Sequence, residues 1–169
     1  MKTLNPNGLK VLKIFHLLFA SMWLGGAIAM ALLLCVVTPR GNNEMYIFGT
    51  SLKTIDDLVI ITGATGCLLT GIVYGIWSKF GFFRLRWITA KWILLLLMTI
   101  SGTFIMGPLV NDNVLPYTEI ARYSDISDRF FANEQANFWW GAAQVVMLLI
   151  TVIISVFKPW KKRIVNTKE

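Results

Sequence analysis

Four long runs of apolar residues, separated by shorter polar segments, dominate the pattern along the chain. They cover 9–37, 58–77, 88–110 and 138–157, and each reaches about the 20 residues that an α-helix needs to cross a bilayer. In none of these runs do apolar and polar residues alternate as they do in a membrane β-strand. Because a backbone in hydrocarbon must satisfy its own hydrogen bonds, the remaining possibility is a helix. The pattern therefore predicts an all-α fold, an integral membrane four-helix bundle in which residues 1–169 form a single domain.

Composition strengthens this prediction. Hydrophobic residues make up 56% of the chain and charged residues 15%, against roughly 25% charged in soluble domains. The first apolar run is about twice as long as the core of a signal peptide and no A-x-A cleavage site follows it, so we expect it to remain as a helix. The function is therefore expected to lie in or beside the bilayer.

The distribution of charge predicts an orientation, because Lys and Arg mark the cytoplasmic side of a membrane protein. Acidic residues concentrate in the first and third loops, whereas basic residues concentrate in the two terminal segments and the second loop. Both termini are therefore predicted to be cytoplasmic. The net charge of +7 fits this topology and an attraction to anionic lipid, and it gives no reason to expect nucleic acid.

Two ionisable residues lie inside the predicted spans and enter from the same side. His16, the single histidine, is about two turns inside the first span, and Lys91 is about one turn inside the third. Ionisable groups at membrane depth are costly and usually face the bundle interior, so the pair is a candidate ligand or cofactor site. Two alternatives remain: His16 hydrogen-bonds across the bundle to a carbonyl or a Ser/Thr hydroxyl, and Lys91 extends to the lipid headgroups.

Haem b is the cofactor that this pair suggests. Imidazole is a common ligand of haem iron, and helix bundles hold cofactors with inward-facing side chains. His16 is thus the candidate metal ligand, and Lys91 the candidate catalytic residue, second axial ligand or propionate partner.

Four further residues are candidates for the same site. Arg84 and Arg86 lie at the adjacent membrane edge, where propionates would emerge, and Trp23 shares a helix face with His16. Gly26 would leave space for a flat ring, although tight helix packing explains it equally well.

Several segments resemble the HemJ-type protoporphyrinogen oxidases, in matching order. Their first helix is resembled by residues 13–26, which read "K-x-F-H", then six residues, then "W-L-G-G". Their third helix is resembled by residues 87–91, which read "W-x-x-x-K". "RFFANE" (129–134) and "FKPW" (157–160) are similar to the beginning and end of their fourth helix. The same superfamily includes the membrane domain of copper-resistance protein D and uncharacterised bacterial membrane proteins.

The resemblance implies a multi-pass protein of the bacterial inner membrane in which His16 and Lys91 match positions tied to cofactor binding or activity. An enzyme of this kind would be a membrane oxidoreductase acting on a porphyrin-type substrate, with a quinone or another membrane redox partner. A further histidine of the oxidases, late in their third helix, is replaced here by "MTISGTF". Haem would therefore need His16 with Lys91, His16 with an open position, or a homodimer.

Two other functions remain open from the sequence. One is a small transporter or a relay of protons or ions, copper included, that uses His16 and Lys91. The other is an accessory structural subunit of a membrane complex. The methionines give little support to copper, because they are scattered over three predicted helices and are expected to serve apolar packing.

Two features of the second span have structural interpretations. Asp56 and Asp57 are expected to open its helix and cap it, with Arg129 and Glu134 as candidate partners. A stripe of small residues is expected to allow close helix packing, inside the bundle or in a dimer; it consists of Gly63, Cys67, Gly71 and Gly75.

Overall fold

A computed structural model of the chain describes residues 4–78, 81–114 and 123–160, without the side chains of Asn42 and of residues 123–127. These residues form four long helices. Helix α1 is Pro6–Val36, α2 extends from Asn42 to Trp77, α3 from Arg86 to Asp112, and α4 is Tyr123–Phe157. Two of them contain a π-helical turn, Asp56–Ile60 in α2 and Gly102–Met106 in α3. The prediction of an all-helical fold is confirmed.

The four helices are each long and apolar enough to cross a membrane. Large apolar side chains such as Leu17, Phe104 and Val156 face outward. Polar side chains are buried instead, among them Thr70, Ser101, Asn113, Asn137 and Gln144. A bilayer solvates an apolar exterior, so this distribution is that of a multi-pass membrane protein.

Successive helices run antiparallel. The backbone N–H of Leu4, before α1, donates to the carbonyl of Trp77 at the end of α2 (3.1 Å). At the opposite end, Arg129 of α4 forms an ion pair with Asp112 of α3 (2.7 Å). We call the end where α1 begins the termini end and the opposite one the far end. Helix α1 packs along α2 and α4, and α3 packs along α4, whereas α2 and α3 do not pack closely at the termini end.

Helix α2 begins 16 residues earlier than the apolar run predicted, at Asn42 rather than at 58. Its extension is amphipathic, and its buried side chains Met45, Phe48 and Leu52 join Met30 and Phe130 in a far-end core. A search for continuous apolar residues overlooks such a segment because polar residues interrupt it. Helix α4 likewise begins before 138, at Tyr123.

The capping role expected for Asp56 and Asp57 is therefore wrong. Both lie in the middle of α2, in its π-helical turn. The expected pairing with Arg129 is also wrong, because Arg129 pairs with Asp112. Asp57 pairs instead with Lys53 of its own helix, at 2.9 Å.

Half of the stripe of small residues packs inside the bundle against α1, namely Gly63 and Cys67. Gly71 instead faces the Trp92 ring of α3, and Gly75 faces the Phe82 ring. A Cβ atom on Gly63 would lie 2.6 Å from the backbone nitrogen of Trp23 and 2.9 Å from the carbonyl oxygen of Phe19. Gly26 serves the same contact from the other side, since a Cβ there would lie 2.9 Å from Cγ1 of Ile60. Close packing, one of the two explanations given for Gly26, is the one that the structure shows.

We predict that Gly63→Ala destabilises the bundle by about 1–3 kcal/mol, the usual cost of forcing an extra methyl group into a packed contact. Gly25→Ala is the matched control, because a Cβ there meets nothing within 4 Å and both changes raise helix propensity alike. The free energy of unfolding, followed by tryptophan fluorescence during denaturation in mixed micelles, measures both. Equal stability of the two variants would contradict the α1–α2 contact.

Candidate functional site

The termini end holds a cluster of polar side chains from three helices, which we call the histidine cluster: His16 of α1, Cys67, Thr70 and Tyr74 of α2, and Lys91 of α3. His16 Nδ1 lies 2.7 Å from the Thr70 hydroxyl oxygen. The His16 and Tyr74 rings meet edge to face, with centroids 6.0 Å apart. The imidazole is therefore held by α2 on two sides.

The hydrogen bonds of Thr70 favour protonation of His16 at Nδ1. The Thr70 hydroxyl lies 2.6 Å from the carbonyl oxygen of Gly66, and it has a single proton to donate. With that proton given to the carbonyl, the hydroxyl accepts from His16 Nδ1–H. Nε2 of His16 then carries a lone pair and has no hydrogen-bond partner among the residues that the structure describes. An Nδ1–H bonded to a neighbour is the arrangement that orients a metal-binding imidazole.

Lys91 completes the cluster from α3. It is partly buried, and its charge acts on both His16 and Cys67. Within 4–78, 81–114 and 123–160 its ammonium forms no hydrogen bond or ion pair. The structure thus places the two predicted ionisable residues in one layer, and this layer has an available nitrogen lone pair and an available amine.

The other predicted cofactor residues lie apart from this pair. Arg84 and Arg86 are exposed at the termini end, just before and at the start of α3. Trp23 is 4% exposed and belongs to a packed core layer together with Ala27, Cys67, Met98 and Leu148. Gly26 lies one turn beyond Trp23, against α2. Trp23 and Gly26 are instead engaged in helix packing.

In the described part of the chain, no three His, Cys, Asp or Glu residues converge. These residues therefore provide no site for a metal ion held by side chains alone. A porphyrin makes a smaller demand, because the macrocycle supplies four ligands of its iron and the protein supplies only axial ones. The donors of the histidine cluster fit this second case.

A second polar feature, which the sequence did not reveal, lies at the far end. A cavity of about 320 Å³ opens between all four helices, and we call it the far-end cavity. Both π-helical turns contribute to its wall, as do three methionines that the sequence pattern suggested were scattered. Its lining includes Asp56, Met30, Met98, Met106, Asn137 and Gln144. The spacing of Asn137, Gly141 and Gln144 on one face of α4 was the available signal.

No family model matches the chain, and no curated protein or solved structure matches it at a significant level. The resemblance to the HemJ-type oxidases thus stays a prediction that depends on the motifs quoted above.

We predict that the His16 ring is protonated at Nδ1 and carries its lone pair at Nε2. ¹⁵N-histidine labelling tests this directly, because the chain has one histidine and each ring nitrogen gives a single resonance. Thr70→Val removes the hydrogen-bonding partner at nearly constant shape, and we expect it to reduce the preference for this tautomer by about 1 kcal/mol.

Thr151→Val is the matched control for this experiment. The hydroxyl of Thr151 also donates to a carbonyl one turn earlier, that of Met147 at 2.9 Å, but on α4. The histidine resonances of the Thr151→Val variant should equal those of the unmodified protein. Identical resonances in Thr70→Val would show that the hydroxyl does not orient the ring.

Proposed function

We propose that this chain is a multi-pass protein of the bacterial inner membrane, with cytoplasmic termini, that binds haem b or a related porphyrin at the histidine cluster. The observation that supports the proposal most directly is the 2.7 Å contact between His16 Nδ1 and Thr70. It directs the proton to Nδ1 and leaves Nε2 as the nitrogen that binds iron.

The surroundings of His16 support a flat ligand. Because α2 and α3 do not pack closely at this end, side chains rather than contacting backbones fill the space between them. One of them is Trp92, whose ring would lie 3.8 Å from a Cβ on Gly71. Admitting a ring here therefore needs side chains to rearrange and leaves the α1–α2 contact in place.

The basic residues have complementary roles in this proposal. Lys91 lies in the layer of His16. It would serve as a second ligand of the iron or move a proton. Arg84 and Arg86 lie at the same end of the bundle, where their guanidinium groups can pair with propionates. When bound, haem would supply a redox-active iron. The corresponding activity is that of a membrane oxidoreductase with a porphyrin-type substrate and a quinone or similar electron acceptor.

A proton or ion relay through the bundle is the main alternative, and the core argues against it. The buried layer of Trp23, Ala27, Cys67, Met98 and Leu148 lies between His16 and the far-end cavity, and Trp23, Ala27 and Met98 also line that cavity. A relay would have to carry protons or ions past this layer. A cofactor that occupies one half of the bundle need not cross it, and we therefore favour binding over transport.

We predict that the purified protein, given hemin in mild detergent, develops a Soret band with sharp α and β bands after dithionite, and that His16→Ala abolishes them. Absorption spectroscopy measures this. Phe15→Ala is the matched control, since Phe15 neighbours His16 but faces outward with half of its surface exposed, and its spectrum should be unchanged. An unaltered spectrum in His16→Ala, or none in the unmodified protein, contradicts the proposal.

We further predict that Lys91→Ala retains haem but weakens its binding by about tenfold or shifts its bands, since one interaction with the cofactor is lost. Hemin titration of this variant and of Lys13→Ala separates a specific effect from a general loss of positive charge. Lys13 is an exposed residue near the same end. If hemin bound Lys91→Ala and the unmodified protein with equal affinity and equal spectra, Lys91 would have no role in the site.

A further inference from the structure

We propose that the far-end cavity is a binding site for a small organic cation, a protonated amine that carries an apolar body. The site is separate from the histidine cluster, and the proposal is independent of haem binding. Its volume of about 320 Å³ falls in the range of small-molecule pockets. Three features of its wall define the ligand: an unused hydrogen-bond acceptor, a carboxylate that forms no ion pair in the described chain, and adaptable apolar surface.

The unused acceptor is on α4. Asn137 is 3% exposed, and its side-chain oxygen has no hydrogen-bond partner within the described residues. Gln144, two turns later on the same face, is also buried and lines the cavity. Its amide nitrogen lies 3.1 Å from the carbonyl oxygen of Met98 and 3.4 Å from the Ser101 hydroxyl. A buried acceptor without a donor is unfavourable, and a ligand that donates hydrogen bonds removes this penalty.

The charge of the wall is negative. Asp57 is paired with Lys53 at 2.9 Å, and the same ammonium donates to the side-chain oxygen of Asn111 at 2.7 Å. Asp56, the adjacent lining residue, forms no ion pair or hydrogen bond within the part of the chain that the structure describes. The charge of Lys53 also acts on Asp56, but its ammonium is bound to Asp57 and Asn111. The Asp56 carboxylate therefore has no bound cation of its own in the described chain and is left to attract one. An anionic ligand would meet repulsion here.

The remaining wall fits an apolar body rather than a metal ion. Trp23 and three methionines, Met30, Met98 and Met106, line the cavity. An aromatic face attracts an organic cation, and methionine side chains adapt to the shape of a ligand. A bare metal ion would need several charged ligands around a much smaller space.

Both π-helical turns lie against this cavity, Asp56–Ile60 from α2 and Gly102–Met106 from α3. Such turns insert one residue into a helix and occur frequently at functional sites. Here the α2 turn includes Asp56 itself. The carboxylate that the proposal requires therefore lies in one of these two irregular turns.

Calorimetric titration of the protein in lipid nanodiscs, with empty nanodiscs subtracted, tests the ligand class. The probes are 2-phenylethylamine and two analogues of similar shape, neutral 2-phenylethanol and anionic 3-phenylpropanoate. We expect the amine to bind at least about tenfold more tightly than the alcohol, and the anion to give no signal. Equal binding of amine and alcohol, or no binding of the amine, overturns the proposal.

Two neighbouring carboxylates provide a matched pair of variants. We expect Asp56→Asn to weaken amine binding by at least about tenfold, and Asp57→Asn, which removes a charge already compensated by Lys53, to weaken it by less than about threefold. Asn137→Leu, which removes the unpaired acceptor at similar volume, should weaken it as well. Unchanged binding in Asp56→Asn, or equal losses in both aspartate variants, overturns the assignment.

Two further controls test whether the variants fold and whether the two sites act independently. Each variant should elute as a single species and retain the thermal unfolding midpoint of the unmodified protein within a few degrees. If Asp56→Asn fails this check, Asn137→Leu decides the outcome. Hemin titration of Asp56→Asn should equal that of the unmodified protein, because the packed Trp23 layer separates the two sites.

Discussion

The close contact between α1 and α2 sets the positions of both candidate sites. At Gly63 the two backbones approach so closely that a Cβ atom would collide with the backbone of Trp23. Because the helices are antiparallel, seven residues back along α1 correspond to seven residues forward along α2. The same register that joins Trp23 to Gly63 therefore joins His16 to Thr70. A side chain at position 63 would separate the helices and with them the imidazole and the hydroxyl.

The bilayer supplies the second constraint. A polar side chain on an apolar helix has the bundle interior as its favourable environment, and the interior has room for polar groups on either side of the layer around Trp23. The result is two polar regions of different character. The termini end combines His16 with a lysine, whereas the far end combines a carboxylate with amide and methionine side chains. We assign the proposed porphyrin to the first region and the proposed organic cation to the second.

Helix irregularity makes the far-end region possible. Regular helices with small residues at their contacts would close over the space between them, as α1 and α2 do at Gly63. The π-helical turns in α2 and α3 interrupt that regularity at the level of the cavity. The amphipathic extension of α2 then packs Phe48 and Leu52 against the ends of the other helices.

The sequence by itself determined the number and apolar character of the long helices and the small residue, Gly63, that allows α2 to pack closely inside the bundle. These follow from composition and helical spacing, which are local properties. The tertiary structure alone decided that Thr70 is the partner of His16, that Gly26 serves packing, that Asp56 lies within a helix, and that three methionines share one cavity. Each of these depends on the register and rotation of one helix against another, and side-chain packing between distant segments sets both.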